Sequence, residues 1–190
     1  MPTEISGSTG VNKIQDNTIV DADINSSAAI AGSKLVMPTG SVLQVVEGGI
    51  SGTSAHSAGA GTYSTVFSAT LTNVKANSKV IVLTNAYATI TNIGSDVAFS
   101  VWRGSTSLGG TEDGNDKAGI TGNLRRNAGI QNIKGTGMFL DTNPGTGSVQ
   151  YDFKVNCENT VTFGRNASTG DGTLLQQRTR TTMILMEIAG

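Results

Sequence analysis

The side chains that could act as a nucleophile, a base or a metal ligand are few and scattered in this sequence. The single histidine, His56, lies between Ser54 and Ser57 in a run of small residues that is typical of a solvated loop. A hydrolytic site needs a nucleophile, a base and a carboxylate that orients the base, and no nucleophile-elbow pattern occurs. The single cysteine, Cys157, falls at an apolar position of a strand pattern, where a thiol is typically buried and inert. The sequence therefore predicts no catalytic residue and no enzyme.

An acidic segment, EDGND at residues 112–116, is the candidate for a metal ion. Its carboxylate and amide oxygens are ligands that calcium prefers, but an EF-hand loop ends in a bidentate glutamate that this segment lacks. Glycine pairs elsewhere do not follow a strand-to-helix transition, so they do not predict a phosphate-binding loop. We therefore expect no metal and no cofactor.

One tryptophan and a few arginines are the candidates for surface contacts. Trp102 falls in the outward register of a predicted strand beside Arg103, where it can stack on a sugar ring or anchor a subunit interface. Arg125 and Arg126 form a basic pair, which more often forms a solvated surface or a subunit ion pair than a receptor site. We predict these four residues as interface or receptor contacts, and a subunit interface is the preferred role of Trp102.

The clearest structural signal is the alternation in residues 148–157, SVQYDFKVNC. Apolar and polar residues alternate with period two, which predicts a strand with one buried and one solvated face. Phe153 then belongs to the core and Asp152 to the solvated face. Val161 and Phe163 resume the alternation after a short connection, which predicts an antiparallel partner strand for the first.

Further segments carry strand patterns along the rest of the chain. Residues 62–71 alternate, with Val66 as the exception, and residues 79–90 are apolar on both sides, as in a central strand. Residues 181–188 are apolar at nearly every position, as in a strand that closes a sheet inside an assembly. About eight strands without a long helix predict an all-β fold, an antiparallel jelly-roll sandwich over residues 37–190.

Composition excludes two classes of partner. Charged residues make up 14% of the 190 residues and the formal net charge is -1, which provides no cationic surface for nucleic acid. No apolar run is long enough to span a bilayer, so we expect no membrane partner. The N-terminus has neither the basic region nor the apolar region of a signal peptide, so we do not expect conventional secretion.

Residues 1–36 differ from the rest of the chain. They lack aromatic residues, and their large apolar residues recur at steps of five or six, a spacing that fits neither helix nor strand. Several copies side by side could bury these residues along a shared axis, which predicts an extended attachment or shaft segment, although a disordered tail is the alternative. The predicted trimer contacts of the shaft are Ile14, Ile19, Ile24, Ile30 and Leu35.

This N-terminal stretch, DNTIVDADINSSAAIAGSKL, resembles segments that recur in fibre and other virion proteins of tailed bacteriophages, and the resemblance covers about residues 15–35. The ending, TMILMEIAG, is similar to the last strand of trimeric jelly-roll heads on phage fibres. The resemblance implies a homotrimer on the virion exterior that is made in the host cytoplasm. It also implies attachment to other virion proteins through residues 1–36.

The jelly-roll head would then face the host surface, where a glycan is the expected partner. A capsid decoration or cement protein, or a head fibre of the same fold, is the first alternative. A carbohydrate-active enzyme is less favoured, because no constellation of carboxylates in a β-helix repeat is present.

Overall fold

The computed structural model describes residues 36–57, 59–90, 96–108, 110, 119–120, 124–125, 131–164 and 180–190. The chain divides into two units, Met1–Val36 and Met37–Gly190. All described strands lie in the second unit. The predicted shaft contacts lie outside the described residues: Ile14, Ile19, Ile24, Ile30 and Leu35.

Within the described residues the chain forms eleven β-strands and no helix. The strands are β1 (Val42–Ile50), β2 (Ser54–His56), β3 (Gly59–Val74), β4 (Lys79–Ile90), β5 (Asp96–Arg103), β6 (Thr106–Leu108), β7 (Leu124–Arg125), β8 (Gln131–Asp141), β9 (Gly147–Cys157), β10 (Val161–Phe163) and β11 (Thr181–Ile188). They make two sheets in which neighbouring strands run antiparallel. The prediction of an all-β antiparallel fold is confirmed, and the two-sheet arrangement is consistent with a jelly roll.

Strand β4 is the centre of the first sheet, sheet A. One side of β4 pairs with β8 along its whole length, and the other side pairs with β11 and then with β10. Strands β1 and β2 lie outside β11 and β10. Sheet B has the order β3-β9-β5, and β6 and β7 pair with the far side of β5. The predicted central position of residues 79–90 is confirmed.

The two sheets meet in an apolar core that contains one aromatic cluster. Tyr151, Phe153 and Val155 of β9 have no exposed surface, so the predicted register of this strand is confirmed. The ring of Phe153 stacks on Phe67 with 5.1 Å between centroids and meets Phe163 edge-on at 6.3 Å. Because Phe163 belongs to sheet A and the other two rings to sheet B, this cluster joins the sheets.

The predicted hairpin between β9 and β10 is wrong. Strand β9 pairs with β3 and β5 in sheet B, whereas β10 pairs with β2 and β4 in sheet A. Residues 158–160 therefore cross from one sheet to the other. Both strands turn their apolar side chains into the same core, so the alternation alone does not distinguish a hairpin from a crossover.

A register shift in β3 explains why Val66 departs from the alternation. The pairing with β9 is irregular between Thr65 and Phe67, as at a β-bulge, where one strand gains an extra residue. Thr65 is consequently exposed, although the alternation placed it on the buried face. Val66 and Phe67 both pack against the core.

Candidate interaction surfaces

The outer face of sheet A carries apolar side chains across four strands. Alternate residues of β1, β11, β4 and β8 point away from the core, and the antiparallel register aligns them in rows. The first row is Val45, Met186, Ile81 and Leu140, and the second is Glu47, Ile184, Leu83 and Met138. We call these two rows the sheet A apolar face.

The most exposed side chains of the sheet A apolar face lie on its outer strands. Met138 is 76% exposed and Leu140 48% on β8, and Val45 is 57% exposed on β1. The side chains on β4 and β11 between them are half-buried. Contiguous apolar surface of this kind is rare on monomeric soluble proteins and marks a contact with another molecule.

Polar residues of β4 flank the sheet A apolar face at both of its ends. Lys79 lies opposite Ile188 at one end, and Asn85 lies opposite Thr182 at the other. Glu47 is the single charged residue within the two rows. It forms an ion pair with Arg180, with 2.9 Å between Glu47 Oε1 and Arg180 Nη1. An apolar centre with a polar rim is the anatomy of a protein–protein interface.

The outer face of sheet B is polar and contains Trp102. The indole ring lies on the outer face, as predicted, and pairs across the sheet with Asp152 of β9. The Nζ atom of Lys154 lies 4.5 Å from the ring centroid, and the ring of Tyr63 lies 5.4 Å away at an interplanar angle of 53°. All four side chains are half-buried, and they form a cluster that we call the aromatic platform.

Hydrogen bonds fix the carboxylate of Asp152 in this platform. Ser68 Oγ donates to Asp152 Oδ1 at 2.6 Å, and Gln150 Nε2 donates to the same oxygen at 2.7 Å. The two donors lie on strands β3 and β9, so they restrain the carboxylate from two directions. Within the described residues, the other oxygen, Oδ2, makes no hydrogen bond.

Arg103, predicted as an interface or receptor contact, forms an ion pair with a carboxylate of its own chain, and its side chain is 29% exposed. Its Nε donates to Asp141 Oδ2 at 2.8 Å, and Asp141 is 6% exposed. The same carboxylate accepts a 2.8 Å hydrogen bond from the Tyr151 hydroxyl and a 3.1 Å bond from the backbone N–H of Asn143. Burial and the hydrogen bond to Asp141 raise the pKa of the Tyr151 phenol. The network joins the end of β8 in sheet A to two strands of sheet B.

Of the other predicted contacts, the structure describes only the backbone of Arg125. The backbone of Arg125 pairs with Asp96 in the short β5–β7 ladder. The side chain of Arg125, the whole of Arg126 and the acidic segment 112–116 lie outside the described residues.

His56 does not lie in a solvated loop, because residues 54–56 form strand β2. Ser54 Oγ lies 2.8 Å from His56 Nε2, and the imidazole ring meets Phe163 edge-on at 5.6 Å. Burial lowers the pKa of His56, which favours the neutral ring. A base thus touches a hydroxyl, but the contacts described for the ring include no carboxylate that would orient it, which hydrolysis requires. The described residues contain no group of three metal-ligating side chains either.

Sequence reasoning missed the buried carboxylate of Glu187, which is 1% exposed. Burial alone would raise the pKa of Glu187, but hydrogen bonds from Gln44, from the Lys75 backbone N–H and from Ser78 outweigh it and lower the pKa. The Lys75 and Ser78 bonds measure 2.8 and 2.7 Å. The signal was present in the sequence, because Glu187 shares the inward parity of Met183 and Leu185.

Comparison with known proteins adds no assignment. Neither the protein-family models nor the curated proteins compared with this sequence include a match. Among the described residues, no helix has the length and apolar character to cross a membrane. The outer faces of the two sheets therefore provide the structural basis for a functional proposal.

Proposed function

We propose that this protein is a structural protein of a tailed-phage virion, a homotrimeric fibre or spike. Residues 1–36 attach it to other virion proteins, and the domain of residues 37–190 is displayed on the particle exterior and contacts the host surface. It acts by binding and not by catalysis. The observation that carries the proposal is the sheet A apolar face, which needs a partner surface.

A second copy of the chain is a suitable partner for this face. The face contains one charge, Glu47, and that charge is paired with Arg180 within the subunit. An uncharged apolar surface requires no opposite charge on its partner, so the same face of another copy complements it. The net charge of -1 per chain adds little repulsion between copies.

The trimeric state and the virion location are supported by the sequence resemblance. The segments that resemble phage virion proteins lie at both ends of the chain, and the second of them contains β11, which supplies Ile184 and Met186 to the face. Three copies arranged around an axis would turn this face inward and leave sheet B outward. Three weak sites on one particle then gain avidity through effective concentration.

Light scattering on the full chain tests the trimer. We expect three times the 19.5 kDa chain mass at micromolar concentration. The double variant Met138→Glu, Leu140→Glu should shift this mass toward the monomer, because each copy would bury two carboxylates against apolar side chains. Both residues are well exposed on β8, so the fold should tolerate the change.

Thr106→Glu is the matched control, because it adds a carboxylate to an exposed residue of sheet B. It should leave the mass unchanged. A wild-type monomer would overturn the proposal of a trimer, and a double variant that associates as the wild type does would overturn the role of the sheet A apolar face.

A capsid decoration protein is the competing role, since it could use the same trimer. Electron microscopy of intact particles with this protein labelled separates the two. Label on the tail or on projecting fibres supports the fibre, whereas label spread over the capsid shell supports the decoration protein.

A further inference from the structure

We infer that the aromatic platform on sheet B binds an acidic saccharide, a sugar ring that carries a carboxylate. The site consists of Tyr63, Trp102, Lys154 and Asp152. This inference deepens the proposed function, because it names the class of ligand at the exposed face of the domain. The site lies within one subunit and does not depend on the trimer.

Tyr63 and Trp102 provide two aromatic rings tilted by 53°, and the Lys154 ammonium already lies over one face of the Trp102 ring. Trp102 and Tyr63 lie 5.4 Å apart on an outer sheet face whose neighbouring side chains include Ser68, Gln150 and Asp152. One face of a pyranose ring consists mostly of C–H groups and loses its water readily against an aromatic ring. The indole Nε1 of Trp102 is buried without a hydrogen-bond partner among the described residues, so this ring offers a sugar its apolar surface and not its polar edge.

Lys154 provides the positive charge. Its ammonium lies 4.5 Å from the Trp102 ring centroid and makes no ion pair within the described residues. A cation held over an aromatic face keeps its charge and its N–H donors. A carboxylate on a stacked sugar ring can accept those donors, whereas a neutral sugar offers only hydroxyl groups.

Asp152 provides a fixed acceptor for sugar hydroxyls. Its Oδ1 already accepts from Ser68 and Gln150, so the carboxylate is oriented before a ligand arrives, and Oδ2 is available. Preorganised polar groups of this kind reduce the cost of binding. Asp152 and Lys154 lie two residues apart on the same side of β9, about 6.8 Å along the strand, which is comparable with the separation of substituents across a pyranose ring.

The same charges disfavour nucleic acid. A phosphate backbone is bound through several lysines or arginines, whereas the aromatic platform provides a single lysine. The combination of one ammonium, one carboxylate and two aromatic rings therefore favours a sugar with one acidic group.

Intrinsic fluorescence tests the site directly, because Trp102 is the only tryptophan of the chain. Titration with glucuronate should give a saturable change in emission, with half-saturation at about 1 to 10 mM for a single sugar on an open surface. Glucose should bind at least about tenfold more weakly, because it cannot pair with Lys154. Acetate should give no saturable change, because it cannot stack.

The variant Lys154→Gln should remove the preference for glucuronate over glucose while retaining the length of the side chain. Lys79→Gln, at the rim of the sheet A apolar face, is the matched control and should keep that preference. Circular dichroism verifies that each variant is folded. Should Lys154→Gln fail to fold, Asp152→Asn tests the same site, because loss of the carboxylate should weaken both sugars.

Three results would overturn the inference. The first is that glucuronate fails to saturate the emission change at about 100 mM, far above the expected dissociation constant. The second is an equal response to glucuronate and acetate. The third is that folded Lys154→Gln still prefers glucuronate over glucose. None of these results depends on the mass measured by light scattering. A failure of the saccharide site is thus distinguishable from a failure of the trimer.

Discussion

The outer faces of sheets A and B are built over the same core, yet they present different chemistry to the outside. On sheet A the alternate residues that point outward include Ile81, Leu83 and Met138. On sheet B they include Asp152 and Lys154. The inward positions of both sheets are mostly apolar, so the fold itself needs only one apolar face from each sheet. The second apolar face of sheet A is in excess of what the fold needs, which is why we assign it to assembly.

The two edges of sheet A also differ from each other. Strand β1 of sheet A lies against β3 of sheet B at Gly48, where an added Cβ would come within 2.9 Å of the Ala69 Cβ and 3.0 Å of the Ser68 carbonyl oxygen. A glycine is needed for this close approach. On the opposite side of sheet A, β8 has no further partner strand among the described residues. Exposed edge strands invite pairing with another chain, so β8 is also suited to assembly.

The largest effect is expected in the core that both sheets share. Phe153→Ala should lower the free energy of unfolding by about 3 to 5 kcal/mol, through lost transfer energy and the cavity left behind. The ring is fully buried and lies 5.1 Å from Phe67 and 5.7 Å from Phe99. Denaturant unfolding measures the change. A loss no larger than that of an outer-face substitution would mean that the two sheets do not share this core.

A smaller loss of stability, which depends on pH, is expected from a substitution of Glu187 at the end of sheet A. Glu187→Gln should cost about 2 kcal/mol at pH 7, because the buried carboxylate accepts charge-assisted hydrogen bonds that an amide cannot all replace. The lowered pKa of Glu187 means that its contribution is fully present above the ordinary value of 4.5. That contribution is lost as the pH falls through the lower pKa of the folded state.

Thermal unfolding of wild type and Glu187→Gln across this acid range measures the difference. The two melting temperatures should converge as the pH falls below the folded-state pKa. A constant difference at every pH would show that the loss comes from packing and not from the charge.

The smallest effect is expected on the polar face of sheet B. Asp152→Ala should change the free energy of unfolding by about 0.5 kcal/mol or less, the usual range for surface positions. Its two hydrogen bonds are exposed, so water can replace the lost partner of Ser68 and of Gln150. A comparison of the denaturant midpoints of Asp152→Ala and Phe153→Ala tests the register of β9. A loss as large as that of Phe153→Ala would mean that this outer face is covered as well.

Several features of the fold followed from local patterns. The alternation of residues 148–157 was sufficient to assign Tyr151 and Phe153 to the core, because a strand has only two faces. The two-sided apolar pattern of residues 79–90 was sufficient to assign a central strand, because such residues must be covered on both sides. The bulge at Val66 and the strand at His56 were not predictable in this way, since each depends on which strand lies alongside.

In the candidate sites, too, some features follow from the local sequence and others depend on contacts with distant strands. The outward position of Trp102 followed from parity, but its neighbours Tyr63 and Lys154 come from β3 and β9, which no spacing along the chain connects. Arg103 was predicted as an interface or receptor contact, and within the chain it pairs with Asp141, 38 residues away on the other sheet. Side-chain pairing across sheets depends on tertiary contacts, so the sequence alone could not assign it.

By itself, the sequence determined that the chain forms amphipathic strands, which residues of β9 are buried, and that β11 is apolar on both sides. These properties depend on side-chain parity, which is fixed by the backbone geometry of each strand. Only the tertiary structure decided that β9 and β10 belong to different sheets and that Val45, Met186, Ile81 and Leu140 form one row. Register and strand order are set by contacts between distant segments, and the alternation within a single strand contains no information about its neighbours.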